Sequence, residues 1–310
     1  MTLITPQQIA HLSLIHHLGS ISHLEQPTHG IMNSVWIVNH AYVLRVDTRT
    51  PPEERSRFVG EALAYRLLRE IGLPVPHLIT VDESRQHLPF PYLIVSRIPG
   101  QTLVECWGNP QDSMLAEQAG SLLAHIHDIT FPRFGPLMVE VDRAQPNYTH
   151  WRNYVQAYFE RAAHPTLTAG LITPAQYDQI TLHLRQMRAS LDRLRFGHLV
   201  HGDYHAENLL TAEGHITGVL DFEWAISGDP VWDFVLLEEW EATAPGSSAA
   251  FLGGYMAVRP LDKDHARRLH LYNVLRNLTH LLDAHHQNDP AGIDWYRSHI
   301  SAALSQVPKA

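Results

Sequence analysis

The chain has 310 residues, 45% of them hydrophobic and 18% charged, with a formal charge of −9. That is enough apolar material for one large domain or two lobes, and the acidic balance excludes the clustered Lys and Arg of a nucleic-acid footprint. The single cysteine, Cys106, rules out an intramolecular disulfide and fits a reducing compartment. Twenty-three histidines invite a metalloprotein reading, but His16-His17 and His285-His286 are adjacent on predicted helices and point apart. Lysine occurs only at positions 263 and 309, so any anion gripped early in the chain falls to arginine.

In chain order, Thr5-Pro6-Gln7-Gln8 predicts a capped helix running to about Leu18. The start has no basic n-region or long apolar h-region, and no later run reaches membrane-spanning length, so the expectation is a cytoplasmic protein. Val35–Val38 and Ala41–Val46 flank Asn39-His40 and predict a β-hairpin. Arg45 alternates into its apolar second strand, a costly place for a charge without a partner. The partner expected is Glu61, on a predicted helix from Arg55 to Ile71 with Phe58, Ala62, Tyr65 and Leu68 at helical spacing. Gly30, ahead of the hairpin, suits either a plain turn or a loop whose free N–H groups cover phosphates. An apolar strand follows at Pro91–Ile98, then a helix bearing Leu115, Ala119, Leu122, Leu123 and Ile126 on one face, with His127 structural. Residues 131–150 lack periodicity and read as a loop beside a binding site. Trp151 opens an aromatic helix, Thr173-Pro174-Ala175-Gln176 caps another, and helices through Arg267–His286 cover the core.

The chemistry gathers at Leu199–Leu210, where apolar pairs bracket His201, Asp203, His205, Glu207 and Asn208. A hairpin turn at Glu213-Gly214 lays the next apolar run alongside, bringing Asp221 near Asn208. A carboxylate and an amide oxygen beside phosphates suit magnesium, and a separate carboxylate, Asp203, is the natural base for an attacking hydroxyl. Asp229 and Asp233, at the start of the following helix, read as structural carboxylates at a helix N-terminus.

His201-Gly-Asp203, then Asn208, Asp221 and Gly228-Asp229-Pro230, resembles the signature of the aminoglycoside phosphotransferase and choline kinase-like family. The resemblance implies an α+β, two-lobed protein-kinase-like fold, with a nucleotide-binding lobe over residues 1–98 and a catalytic and acceptor-binding lobe over 99–310. It implies ATP and Mg2+ as cofactors and a small hydroxylated acceptor, with no nucleic-acid or membrane partner. Asp203 matches the catalytic aspartate, Asn208 and Asp221 the metal ligands, and His201 the residue that buttresses the loop. Backbone groups from Ser96 to Ile98 fall where the fold binds a purine edge. Arg45 stands where kinase-like folds carry a phosphate-binding lysine paired to a helix glutamate, here Glu61. Asp221-Phe222-Glu223 departs from the Asp-Phe-Gly of protein kinases toward small-molecule members.

Two other readings stand beside this one: a metallohydrolase using His201, Asp203 and His205 as ligands, and a non-catalytic nucleotide-binding module. For the acceptor, Glu238, Glu239 and Glu241 around Trp240, after Trp224 and Trp232, suit either a cationic ligand or an ordinary solvated face.

Overall fold

A computed structural model describes residues 4–27, 34–48, 56–108, 112–137, 139–140, 143–144 and 148–306. Helix α1 (Pro6–Ile15) opens as expected, with Thr5 and Gln8 closing a capping box, but stops at His16. Strands β1 (Leu24–Glu25), β2 (Ser34–Val38), β3 (Tyr42–Val46), β4 (Leu78–Asp82) and β5 (Tyr92–Ser96) form an antiparallel sheet in the order β1-β2-β3-β5-β4. At the β2–β3 turn, Asn39 and His40 take φ of 54° and 56°, the paired positive angles that match a tight hairpin to strand twist.

The sheet is covered on both faces, and the two-residue period decides which side chain goes where. Leu44, Val46, Tyr92 and Ile94 pack with Ile9 and Leu12 of α1. Leu93 and Val95 face the other way, with Phe58, Ala62, Tyr65 and Leu68 of α2 (Phe58–Glu70). Arg45, between Leu44 and Val46, therefore turns to the α2 side, where Glu61 waits.

The remainder is mainly helical: α3 (Leu103–Cys106), α4 (Asp112–Ile126), α5 (Trp151–Thr168), α6 (Pro174–Leu191), α7 (Leu237–Thr243), α8 (Ser247–Val258), α9 (His265–His286) and α10 (Pro290–Gln306). Helices α4 and α8 cross at small residues: a methyl on Gly120 would overlap the Phe251 carbonyl, and one on Gly254 the Glu117 carbonyl. Short strands thread between the helices: β6 (Gln101–Thr102), β7 (Thr130–Phe131), β8 (Gly135–Pro136), β9 (Val139–Glu140), β10 (Arg143–Ala144), β11 (Gly197–Val200), β12 (Leu209–Ala212), β13 (His215–Val219) and β14 (Ile226–Gly228). They pair as β7-β11-β14-β8, β13-β12-β6 and the β9-β10 hairpin. Part of the stretch 131–150, read from sequence as structureless, is thus strand. Too short for a periodic pattern, β7 and β8 are recruited at the edges of β11 and β14. Among the described residues no helix is long and apolar enough to cross a membrane.

Candidate active site

Strands β11 and β12 hold the ends of the 201–208 loop, and buried side chains fix its interior. The His201 ring is fully buried: Nε2 lies 2.9 Å from the Leu220 carbonyl, and Nδ1 lies 3.2 Å from the Asp203 N–H. Those partners require the neutral tautomer with the proton on Nε2, in keeping with burial, which lowers the His201 pKa against the nearby Asp233 and Asp203 charges. Both ring nitrogens are therefore spent. His201 cannot join Asp203 and His205 around a metal, and the metallohydrolase reading falls.

Asp233 corrects a second expectation. Its carboxylate serves the loop and not its own helix: Oδ2 accepts the His201 N–H at 2.8 Å, Oδ1 the Gly202 N–H at 2.7 Å, and His127 Nε2 lies 2.9 Å from Oδ2. His127 is in turn 2.9 Å from the Tyr255 hydroxyl, so the structural role expected for it holds. Gly202 has φ 83°, and a Cβ there would overlap the Trp224 carbonyl, so the turn needs glycine. Asp229 does cap as expected, accepting the Val231 N–H at 3.2 Å. It also takes buried bonds from Arg268 Nε and the Tyr272 hydroxyl, both at 2.6 Å.

Asp203 emerges from this clamp half-buried. Asn208 Nδ2 donates to the Asp203 carbonyl at 2.9 Å, which leaves the Asn208 amide oxygen outside that bond. His205 Nε2 lies 3.3 Å from Asp203 Oδ2. Burial works to raise the Asp203 pKa, but the hydrogen bond and charge of His205 outweigh it and hold the carboxyl below its ordinary value. Conversely, burial lowers His205 while Asp203 raises it, with a net rise.

The β12–β13 hairpin turns at Glu213 and Gly214, with φ of 52° and 77°, and pairs Leu209 with Val219. The Leu220 N–H then donates to the Asn208 carbonyl at 2.9 Å, which sets Asp221 beside Asn208 as the turn chemistry predicts. Asp221 itself is left-handed, φ 63° and ψ 63°, a strained conformation that aspartate tolerates better than most residues. The Tyr65 hydroxyl accepts its N–H at 3.1 Å, and Phe222 packs 4.3 Å from the His201 ring.

Arg45 reaches this corner from the sheet. Its guanidinium bonds Glu61 Oε1 at 2.5 Å, Asp221 Oδ1 at 2.9 Å and Glu223 Oε2 at 2.9 Å, so the expected Arg45–Glu61 pair is present and carries two further carboxylates. Glu61 is fully buried and also accepts the Tyr65 hydroxyl at 2.8 Å. Burial, with Asp221 and Glu223 nearby, pushes Glu61 up to about 7 against the pull of Arg45. Burial alone would lower Arg45, but the surrounding carboxylates raise it, so it stays charged. Carboxylate oxygens of Glu61, Asp221 and Glu223 lie within 4.8 Å of one another. One guanidinium among three carboxylates leaves surplus negative charge of the kind a hard divalent cation neutralises.

A cavity of about 510 Å³ opens beside Asp203 and Gly202, walled by Tyr158, Trp224, Trp232 and Tyr296. Arg57 stacks over Trp224 at 3.3 Å to the ring centroid, tying α2 to its rim. Trp224 and Trp232 thus line the cavity, whereas Glu238, Glu239 and Glu241 are not among its lining residues. Glu241 accepts the Gly246 and Ser248 N–H groups at the start of α8, Trp240 is buried in the core, and Glu239 pairs with Arg276 at 3.0 Å. The cavity takes its charge from Arg276, Asp283 and Asp289 of the last two helices and the turn between them, which sequence periodicity assigned to packing. In the stretch Ser96 to Ile98, expected from sequence to meet a purine edge, the Ser96 and Arg97 N–H groups are donated to the His77 and Ala41 carbonyls. Gly30 lies outside the described residues.

This fold is shared with known proteins. Residues 23–267 match the model of the phosphotransferase enzyme family, the family described as APH. The chain belongs to that family. It is 27% identical over 236 residues to the hygromycin-B 4-O-kinase of Escherichia coli, covering 73% of this chain and 65% of that kinase's length. It is 32% identical over 268 residues to the homoserine kinase of Neisseria meningitidis serogroup B, covering 80% of this chain and 78% of that kinase. Among solved structures, aminoglycoside phosphotransferase APH(4)-Ia superposes with a TM-score of 0.71 at 20% identity over 98% of this chain and all of that one. A thermostable mutant of it, in ternary complex with AMP-PNP and hygromycin B, superposes at 0.70. These likenesses establish the α+β, protein-kinase-like fold.

Proposed function

We propose that this protein transfers the γ-phosphoryl group of ATP to a hydroxyl of a small molecule, with residues 1–98 as the nucleotide lobe and 99–310 as the catalytic and acceptor lobe. The observation that carries the reading is the position of Asp203: it lines the 510 Å³ cavity, while Asn208 bonds its backbone carbonyl and is itself bonded by the Leu220 N–H, next to Asp221. Asp203 accepts the proton of the acceptor hydroxyl as the phosphoryl group arrives, and its lowered pKa keeps it ionised. His201 and Asp233 hold that carboxylate in place through the loop backbone. Asn208 and Asp221 would hold Mg2+, with Glu223 within reach; bound there, the ion would neutralise charge on the phosphate oxygens. Arg45, held by Glu61, Asp221 and Glu223, would take the place of the lysine beside the phosphates. Nucleotide complexes of similar proteins and the names of both kinases support this reading.

The test is magnesium-dependent ADP release with a panel of hydroxylated amines, amino acids, sugars and antibiotics. Release with at least one acceptor is expected. ATP binding without release on any acceptor would return the chain to a nucleotide-binding module.

A further inference from the structure

Asp221 keeps a left-handed backbone, φ 63° and ψ 63°, which an aspartate holds only when its surroundings fix it there. The residue before it is settled by the hairpin and the loop: the Leu220 N–H goes to the Asn208 carbonyl at 2.9 Å, and the Leu220 carbonyl lies 2.9 Å from His201 Nε2. Among the described residues, two polar tethers then reach Asp221 from the N-terminal half of the chain. Arg45 takes the carboxylate, bonding Oδ1 at 2.9 Å, and this is the group a metal would use. The Tyr65 hydroxyl takes the backbone instead, accepting the Asp221 N–H at 3.1 Å and leaving the carboxylate untouched.

That hydroxyl has a single proton, and it goes to Glu61 Oε1 at 2.8 Å. The same oxygen receives Arg45 at 2.5 Å, while Glu61 Oε2 is buried with no hydrogen-bond partner. Tyr65 and Arg45 together therefore orient the Glu61 carboxylate through one oxygen. Glu61 and Tyr65 are four residues apart on α2, so they present to the same face. The Tyr65 ring is buried and meets Phe222 edge-on with centroids 5.6 Å apart, and Phe222 in turn packs on His201. Ring packing fixes where the phenol stands, and its hydroxyl fixes the two acidic residues. A phenylalanine would fill the same space but leave the Asp221 N–H and Glu61 each short of a bond.

We propose that Tyr65 is a positioning residue for phosphoryl transfer: its hydroxyl sets Asp221 for Mg2+ and Glu61 for Arg45, so that one atom aligns the metal side and the phosphate side of the nucleotide site. The proposal rests on the phosphotransferase reading, which assigns Asp221 to the metal, and deepens it by naming what holds that ligand.

Tyr65→Phe isolates the hydroxyl, because the ring and its contact with Phe222 remain. Tyr92→Phe is the control: its hydroxyl also comes from a buried tyrosine, but it bonds Asp82 at 2.9 Å, and its ring packs on the α1 side of the sheet. AMP-PNP binding to the parent and both variants is measured by calorimetry over a series of Mg2+ concentrations, alongside thermal midpoints. Outer-shell partners of a metal ligand are worth about tenfold to a hundredfold in metal affinity. Tyr65→Phe should raise the Mg2+ requirement for AMP-PNP binding by about that factor, whereas Tyr92→Phe should lower the midpoint and keep the parental requirement. A Tyr65→Phe protein with a lowered midpoint and the parental Mg2+ requirement would make the hydroxyl a packing feature alone, overturning the proposal while leaving the phosphotransferase reading intact. That reading is judged separately by ADP release. The predicted Mg2+ shift in a chain that phosphorylates no acceptor of the panel would support the tether and remove the chemistry.

Discussion

Replacing Asp233 with asparagine tests how the reacting loop is held. The Asp233 carboxylate takes the buried N–H groups of His201 and Gly202 on separate oxygens and faces His127 Nε2 as well. Asparagine keeps the shape but has one acceptor oxygen, so its NH2 group must oppose either the Gly202 N–H or the His201 N–H together with the histidine. One buried donor is left unpaired, at about 1–3 kcal/mol, and a bond to a charged acceptor becomes one to a neutral acceptor. Together these predict a loss of about 2–4 kcal/mol. In a chain of this size that lowers the thermal midpoint by roughly 3–6 °C. Because the freed backbone leads directly into Asp203, turnover should also fall by more than about tenfold, since small misplacements of a reacting group are expensive. Differential scanning calorimetry and saturating-substrate kinetics on the purified variant read both quantities. Asp128→Asn, at an exposed pair with Arg259, is the control and should change stability by less than about 1 kcal/mol. An Asp233→Asn protein with parental midpoint and turnover would refute the clamp.

Three further outcomes follow from the same geometry. Arg45→Ala leaves Glu61, Asp221 and Glu223 without their shared cation, and should raise the KM for ATP at least about tenfold while costing about 3–5 kcal/mol of stability; an unchanged KM would show that Arg45 does not serve the nucleotide. Glu61 titrates at about 7 when folded against an ordinary 4.5, so between those values the folded form binds the extra proton and stability declines as pH rises. Glu61→Gln should flatten that decline between about pH 5 and 7, and a variant with the parental slope would contradict the assignment. Gly202→Ala forces a left-handed alanine into the Trp224 carbonyl and should abolish turnover; retained activity would mean the 201–203 turn tolerates another path.

How much of this was readable in advance depended on how local the cause was. The Arg45–Glu61 pair followed from a two-residue strand period meeting a helical period, and the approach of Asp221 to Asn208 followed from Glu213-Gly214 turn chemistry. Both need only neighbouring residues. Asp233 was misread because its partners are backbone donors 31 and 32 residues earlier, and nothing in its own helix announces them. Arg276 and Asp283 were passed over because α9 buries Leu271, Val274, Leu278 and Leu281 on its inner side, and the apolar stripe masked a polar row beside it. Glu223 carried a usable signal, a carboxylate two residues after Asp221. Its convergence on Arg45 needed the third dimension. The glutamates around Trp240 had the right composition for a cationic pocket but point elsewhere, since Glu241 caps α8 and Trp240 stacks on Tyr204 inside the core.

The central claim is that Asp203 meets the acceptor hydroxyl during phosphoryl transfer. It is tested most directly by comparing the parent with Asp203→Asn for magnesium-dependent ADP release and for AMP-PNP binding, in the presence of an acceptor the parent uses. Asp203→Asn should leave nucleotide affinity unchanged and reduce turnover by roughly 10²- to 10⁴-fold. Turnover within about threefold of the parent would contradict it.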